Sequence, residues 1–468
     1  MNLRRLVFAL VLLFTVSIVP VWALGGEAKA EFDAFVKNIR ESRRADRVGY
    51  LVLVQTPPSK SNDARIFSLA GKYAYASDEG YLTHVNYIRL QRMQSLKLPL
   101  KIIDKKRLDD ASEQWYLVWC RDAADDRGLR AKFEPLYAKN HTRVIRIRPG
   151  DEEDLQVLQL HYSLIDETLL PLRQVPTSAR PAAPARIPDP IIAGLLERIT
   201  VASVTADVQA LQDCVSRAVR EKGNSKAIAW LAEQFGAIPG LTVTTPAFSY
   251  NSVPDLKNVV AIKRGDKEPG TAIVVGGHCD STVSSYGPKP NAPGADDNGS
   301  GAAAVLNIAR AVADLKLHYT VIFCQFNAEE VGLIGSKAFA RTLVNGSEYK
   351  VKAMLNMDMI ADKDRPNVAV IGNTASNWLI DVFKDNALAY TGLGSNCQYN
   401  SDIWQSDHSS FWNIGIPAIL TIEGYPDYCV NYHSIRDTVA NMSPTFMTKV
   451  TKANLATLLA LNPIVPQE

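Results

Sequence analysis

The chain has 468 residues and 51 basic against 49 acidic side chains, a formal net charge of +2. Hydrophobic residues make up 47% and charged residues 21%, the balance of a globular protein, which excludes a wholly disordered or collagen-like chain. No global basic field draws the chain to nucleic acid, and six cysteines are too few for a disulfide-built scaffold, so hydrophobic burial must supply the core.

In chain order, the first element is an export-like segment. Arg4 and Arg5 precede the apolar run Leu6–Val19, Pro20 breaks it, and Ala23 supplies a small residue at the cleavage point. Residues 1–23 therefore read as a signal peptide, and the mature chain is expected to be secreted or periplasmic, with no membrane span once the signal is removed.

Residues 31–172 mix strand-like and helix-like stretches, which predicts a smaller α+β N-terminal domain. Tyr50–Gln55, Gln114–Cys120 and Thr142–Arg148 are rich in β-branched and aromatic residues and read as strands, and Asp154–His161 reads as a short helix. This half carries no chemistry-bearing motif. It is expected to act in cis on the C-terminal part of the chain, as a prodomain that folds or masks it, ahead of a docking module or a fixed structural partner. Six prolines from Pro171 to Pro190 mark 173–190 as a linker.

From 191 to 468 the pattern alternates. Asn258–Lys263, Ala272–Val275, Tyr319–Phe326, Val351–Asn356, Asn367–Ile371 and Ala418–Ile422 are short continuous apolar runs, as in a sheet buried on both faces. Helix-like stretches lie between them, Gly301–Ala313 being the clearest. The fold class is therefore α/β, a mainly parallel sheet sandwiched by helices.

Side chains able to do chemistry cluster just past the predicted strand ends: His278 with Asp280, Asp296-Asp297 before Asn298-Gly299, Glu329-Glu330, Asp358, and Tyr432-His433 with Asp437 four residues on. In open α/β sheets, sites form at the carboxyl ends of strands. Taken singly, each has a plain alternative: a structural histidine, a solvated acidic helix face, a turn, a helix cap, a surface pair. Together they are a mixed nitrogen and oxygen donor set suited to zinc. His278, Asp297, Glu330, Asp358 and His433 are too many for one catalytic zinc with an open position, and suit two ions sharing a carboxylate and activating a water.

Those residues, together with Asn356-Met357-Asp358-Met359 and Ser406-Asp407-His408, resemble the M28 zinc aminopeptidases, secreted bacterial leucyl aminopeptidases among them. The resemblance spans roughly residues 195–463. It implies a zinc exopeptidase-like fold and two Zn2+ per chain: His278 and Asp358 on one ion, Glu330 and His433 on the other, and Asp297 bridging. It also implies a cis peptide at Asp297-Asn298, Glu329 as general base, Asp280 orienting His278, and Tyr432 stabilising the oxyanion. Asp437 joins these as a supporting acid. The implied reaction removes the N-terminal residue from peptides with a free N-terminus.

Met359, Ile360, Trp412, Tyr425 and Tyr428 line an apolar pocket for the first side chain or belong to the core. A short Cys-x-x-x-Cys bridge of some relatives cannot form, since Ser401 stands four residues after Cys397; pairing of Cys397 with Cys429 is the bridge the resemblance leaves open. The competing functions are a glutaminyl cyclase-like transferase, a carboxypeptidase or dipeptidase of the same fold, and a non-catalytic binding ectodomain.

Overall fold

The structure is a computed structural model that describes residues 48–55, 72–73, 75–77, 79–107, 112–165, 170–171, 188–250, 253–401, 403–424 and 429–466. The export-like segment, most of the proline-rich segment, Tyr425 and Tyr428 lie outside the described residues.

The N-terminal half is built on two four-stranded antiparallel sheets. The first runs Tyr75–Ser77, Gly80–Asn86, Val48–Val54, Leu100–Arg107, and the second Tyr137–Lys139, Thr142–Ile147, Gln114–Trp119, His161–Leu164. Period-two alternation explains their stacking. Leu51, Leu53, Trp115 and Leu117 point into the layer between the sheets. Val52 and Val54 turn toward the helix Tyr87–Ser95, and Tyr116 and Val118 toward the helices Ala123–Arg130 and Glu152–Val157. The helix expected over 154–161 is shorter: it ends at Val157, Gln159 takes a left-handed φ of 57°, and His161 begins an edge strand.

The C-terminal part is an eight-stranded, mainly parallel sheet with helices on both faces. Its order is Leu241–Thr244, Val259–Lys263, Tyr319–Phe326, Glu268–His278, Lys350–Met357, Ala418–Ile422, Asn367–Gly372, Gly394–Gln398. Neighbours pair in parallel through the centre, at Val275↔Phe323, Val275↔Leu355 and Leu355↔Ile419. Ile273 and Val275 pack into the larger core with Val208, Leu306, Phe383 and Leu455 from four helices, while Ala272 and Val274 pack on the other face with Phe339 and Phe411. Burial on both faces is why these strands are continuously apolar. The last helix, Pro444–Leu461, starts with Ser443 accepting from Phe446 N and proline at its first position. No helix among the described residues is long and apolar enough to cross a membrane.

All six cysteines are free thiols. The bridge considered between Cys397 and Cys429 is therefore not formed. Cys397, on the edge strand Gly394–Gln398, packs toward the main core, whereas Cys429 belongs to a separate cluster with Met359, Ile403 and Ile422.

Candidate metal centre

Four of the candidate side chains stand where a sheet strand ends, and two come from turns beside them. His278 is the last residue of Glu268–His278, Asp358 follows Lys350–Met357 by one, and Glu329 and Glu330 follow Tyr319–Phe326 by three and four. Asp297 lies in the turn Ala295–Ser300 that leads into the helix Gly301–Ala311. His433 comes from a turn after the last central strand. Strand ends are where a parallel sheet splays open, and they bring these side chains together.

Asp297 faces two partners with its two oxygens. Its Oδ1 lies 3.2 Å from His278 Nε2, and its Oδ2 lies 3.1 Å from His433 Nε2. His278 Nε2 is also 3.3 Å from Asp358 Oδ1, and His433 Nε2 is 2.9 Å from Glu330 Oε2. The donors thus divide into two triplets that share one carboxylate. A tetrahedral ion with bonds of about 2.0–2.1 Å separates its ligand atoms by about 3.3 Å, close to these spacings. The donors of His278, Asp297 and Glu330, and those of His278, Glu329 and Asp358, also fall within 4.8 Å of one another.

The charges fit cations. Burial would raise the Asp297 carboxyl, but His278 and His433 hold it well below the usual carboxylate range. Burial would lower His278, yet Asp358 and Glu329 outweigh it and hold the imidazole well above its ordinary value. Glu329 is pushed well up, by burial first, and Glu330 up to about 7 for the same reason. Crowded buried acids that need positive charge beside them are what a divalent ion relieves. Glu329 Oε1 and Glu330 Oε1 are buried without a hydrogen-bond partner among the described residues.

A hydrogen-bond frame fixes the cluster. Asp280 accepts the backbone N–H of Glu329 at 3.1 Å and of Glu330 at 3.2 Å. Its Oδ1 is 3.5 Å from His278 Nδ1, a longer electrostatic contact, so its firmer hold is on the two glutamates. Asp437 accepts the backbone N–H groups of Asp296 and Asp297 at 2.8 and 3.0 Å. Ser406 donates to Asp358 Oδ2 at 2.6 Å and receives Asn356 Nδ2 at 2.7 Å. The Asp297-Asn298 peptide is cis, and Asn298 Nδ2 donates to the Met357 carbonyl at 2.9 Å. A Cβ on Gly301 would meet that same carbonyl at 2.2 Å, so only glycine lets the helix start this close. Ala328, Met359 and His433, at or beside the cluster, take left-handed φ values of 60°, 51° and 50°.

Arg217 is a support that the sequence reading missed. It is buried and donates to the carbonyls of Cys279, Pro293 and Gly294 at 2.8, 2.6 and 2.7 Å, tying the residue after His278 to the turn before Asp296. An isolated arginine in a polar stretch carries no pattern that marks it.

Beside the donors lies an apolar recess lined by Met359, Ile371, Ile403, Leu420 and Ile422, with Tyr432 at its edge. Of the side chains considered for such a pocket, Met359 lines it. Ile360 is in the main core, and Trp412 donates to the Ala418 carbonyl at 2.8 Å. The N-terminal half also reaches this recess, through Trp119, Arg121, Gln159 and His161. Tyr432 stacks on His433 at 3.7 Å, and its hydroxyl shares a 2.8 Å hydrogen bond with His161 Nε2.

Residues 258–458 match the model of Peptidase family M28. The chain is 29% identical over 317 residues to leupeptin-inactivating enzyme 1 of Streptomyces exfoliatus, covering 62% of this chain and 67% of that one. It is 29% identical over 216 residues to aminopeptidase Y of Saccharomyces cerevisiae, covering 42% of this chain but only 37% of the yeast protein. Among solved structures, the LapA aminopeptidase of Legionella pneumophila superposes with a TM-score of 0.59 at 19% identity, over 75% of this chain and 98% of that one. At that identity the likeness is one of fold.

Proposed function

We propose that this chain, a member of peptidase family M28 through residues 258–458, is an exported zinc aminopeptidase with two ions per chain. The observation that carries the two-ion reading is Asp297, whose oxygens face the two imidazoles separately at 3.2 and 3.1 Å. His278, Asp358 and Asp297 would hold one ion, and Glu330, His433 and Asp297 the other. When bound, such a pair supplies Lewis acidity and a water acidic enough to attack a peptide carbonyl near neutral pH.

The chain's own residues supply the rest. Glu329, held at its backbone by Asp280 and otherwise free at Oε1, takes the proton of the attacking water and returns it to the leaving amine. Tyr432 offers its hydroxyl to the oxyanion. The apolar recess receives an aliphatic first side chain, as in peptides that begin with leucine. A single-ion, cyclase-like chemistry would leave one face of Asp297 and its partners without a role. Arg4, Arg5 and the Leu6–Val19 run support export, and the contacts of Trp119 and His161 in the recess support action of the N-terminal half in cis.

The test is hydrolysis of amino-acid p-nitroanilides by the purified protein, with and without chelator, alongside metal analysis. Chelator-sensitive release from leucine p-nitroanilide and two zinc ions per chain are expected. Turnover that survives complete metal removal would overturn the reading.

A further inference from the structure

The N-terminal half does more than touch the recess. Its edge strand His161–Leu164 pairs with Gln114–Trp119 along one side and lies against the candidate centre. Three anchors hold it there. His161 Nε2 shares a 2.8 Å hydrogen bond with the Tyr432 hydroxyl, and its ring lies 6.3 Å from that of His433. Ser163 receives the buried Lys337 ammonium, which also donates to the Gly332 carbonyl at 2.7 Å. A Cβ on Gly332 would stand 3.3 Å from the Tyr162 carbonyl, so the two backbones run close together. Farther out, Trp404 packs into the N-terminal core and points its Nε1 at Thr142 Oγ1, 3.3 Å away.

The space left decides what this strand does. The recess beside it holds about 30 Å³, and the space on its other side, between Leu160 and Tyr162 and the acids Glu329 and Glu330, about 10 Å³. One water needs roughly 10–15 Å³ in this measure and a benzene-sized guest about 150 Å³. A leucine side chain with its peptide fits in neither; a cleft of about 780 Å³ beyond Tyr162 reaches Glu330, but Glu329, Tyr432 and the apolar recess do not line it. The Tyr432 hydroxyl, moreover, is engaged by His161 Nε2.

We propose that the strand His161–Leu164 is an autoinhibitory plug, and that peptides reach the centre only after the N-terminal half withdraws. His161 occupies the place of the scissile carbonyl's oxygen on Tyr432, and Ser163 is the latch, closed by Lys337. The assay arm of the test rests on the aminopeptidase reading.

The full chain is compared with His161→Ala, with Ser163→Arg, which sets a second cation against Lys337, and with a chain cut at a protease site built into 173–190. Two readouts are taken: hydrolysis of leucine p-nitroanilide by zinc-loaded protein, and labelling of His433 by diethyl pyrocarbonate in metal-free protein, followed by mass spectrometry. Each change is expected to raise both rates, about fivefold or more for the substitutions and further for the cut chain, as the open form gains population. Faster labelling with no hydrolysis in any form would uphold the plug and overturn the peptidase reading. Unchanged labelling in all three forms, or hydrolysis that falls in His161→Ala while His433 labelling stays slow, would overturn the plug, the latter marking His161 as a positioning residue for Tyr432. Should Ser163→Arg fail to fold, His161→Ala and the cut chain decide the question alone.

Discussion

Asp437 Oδ2 receives the backbone N–H of Asp297 at 3.0 Å, while its Oδ1 receives that of Asp296 at 2.8 Å. The carboxylate that faces both imidazoles is thus aimed from behind, through its own main chain. Outer partners of metal ligands typically change affinity by about 10–100-fold when removed. Asp437→Ala is expected to weaken zinc binding by that factor, most for the second ion bound, and a competition titration against a chromophoric chelator reads it.

Glu329 is buried beside the donors with one carboxylate oxygen unpartnered. Glu329→Gln keeps the shape and removes the proton acceptor proposed above. General-base catalysis contributes about 10²–10⁴ in rate, so kcat is expected to fall by that range while two zinc ions per chain remain. Metal analysis beside steady-state kinetics separates this from loss of a ligand; a variant that lost one ion would assign Glu329 to the coordination set with His278 and Asp358.

Arg217→Met keeps length and apolar packing but strips the carbonyls of Cys279 and Pro293 of their donor, while Gly294 keeps the backbone N–H of Gly299 at 2.9 Å. Buried polar groups stripped of a partner cost about 1–3 kcal/mol each, so a loss of about 2 kcal/mol or more is expected. Urea denaturation followed by circular dichroism measures it, and a change under 1 kcal/mol would contradict the strut role.

His408 is buried, with Nε2 2.9 Å from the Ile403 carbonyl oxygen and its ring edge-on to Trp412. Burial pushes its pKa down from 6.5 to about 4. Between those values the unfolded chain binds the proton and the folded chain does not. The contribution is therefore whole above pH 6.5 and is lost as pH falls toward 4, at most roughly 3 kcal/mol. Natural protein is expected to lose more stability from pH 7 to 4.5 than His408→Gln, whose amide can still donate to Ile403; parallel pH dependences in urea would refute this.

The recess predicts specificity. Leu420→Phe adds bulk against Ile371, Ile403 and Ile422. A one-methylene mismatch is worth about 10–200-fold, so kcat/KM for leucine p-nitroanilide is expected to fall by at least tenfold relative to the alanine substrate.

The doubly covered sheet was legible because its strands are continuously apolar, and His278, Glu329, Glu330 and Asp358 were legible because each ends or closely follows such a run, whereas Asp297 and His433 come from turns farther along the chain. The turns that carry Asp297 and His433 complete the set at the same end of the sheet. The recess was not legible: Ile371, Leu420 and Ile422 lie on strands and read as ordinary core. Nor was His161, which falls where the pattern suggested helix and becomes strand only by pairing with Trp119. Such pairing is a tertiary effect, outside the reach of local propensity. The Cys397–Cys429 pairing, which the resemblance left open, is absent because the two thiols join different packing clusters, which a family likeness does not specify.

The turn carrying Asp297 is stitched to the segment carrying Asp358. Asp296 Oδ1 accepts Ala361 N at 2.7 Å, Ser300 Oγ accepts Ile360 N at 3.1 Å, and Asn298 bonds the Met357 carbonyl. Ligands from distant stretches of chain therefore travel as a single body. Capturing an ion asks for almost no ordering of the polypeptide, so loading should proceed with a small heat-capacity change, as in a socket cast before its plug arrives.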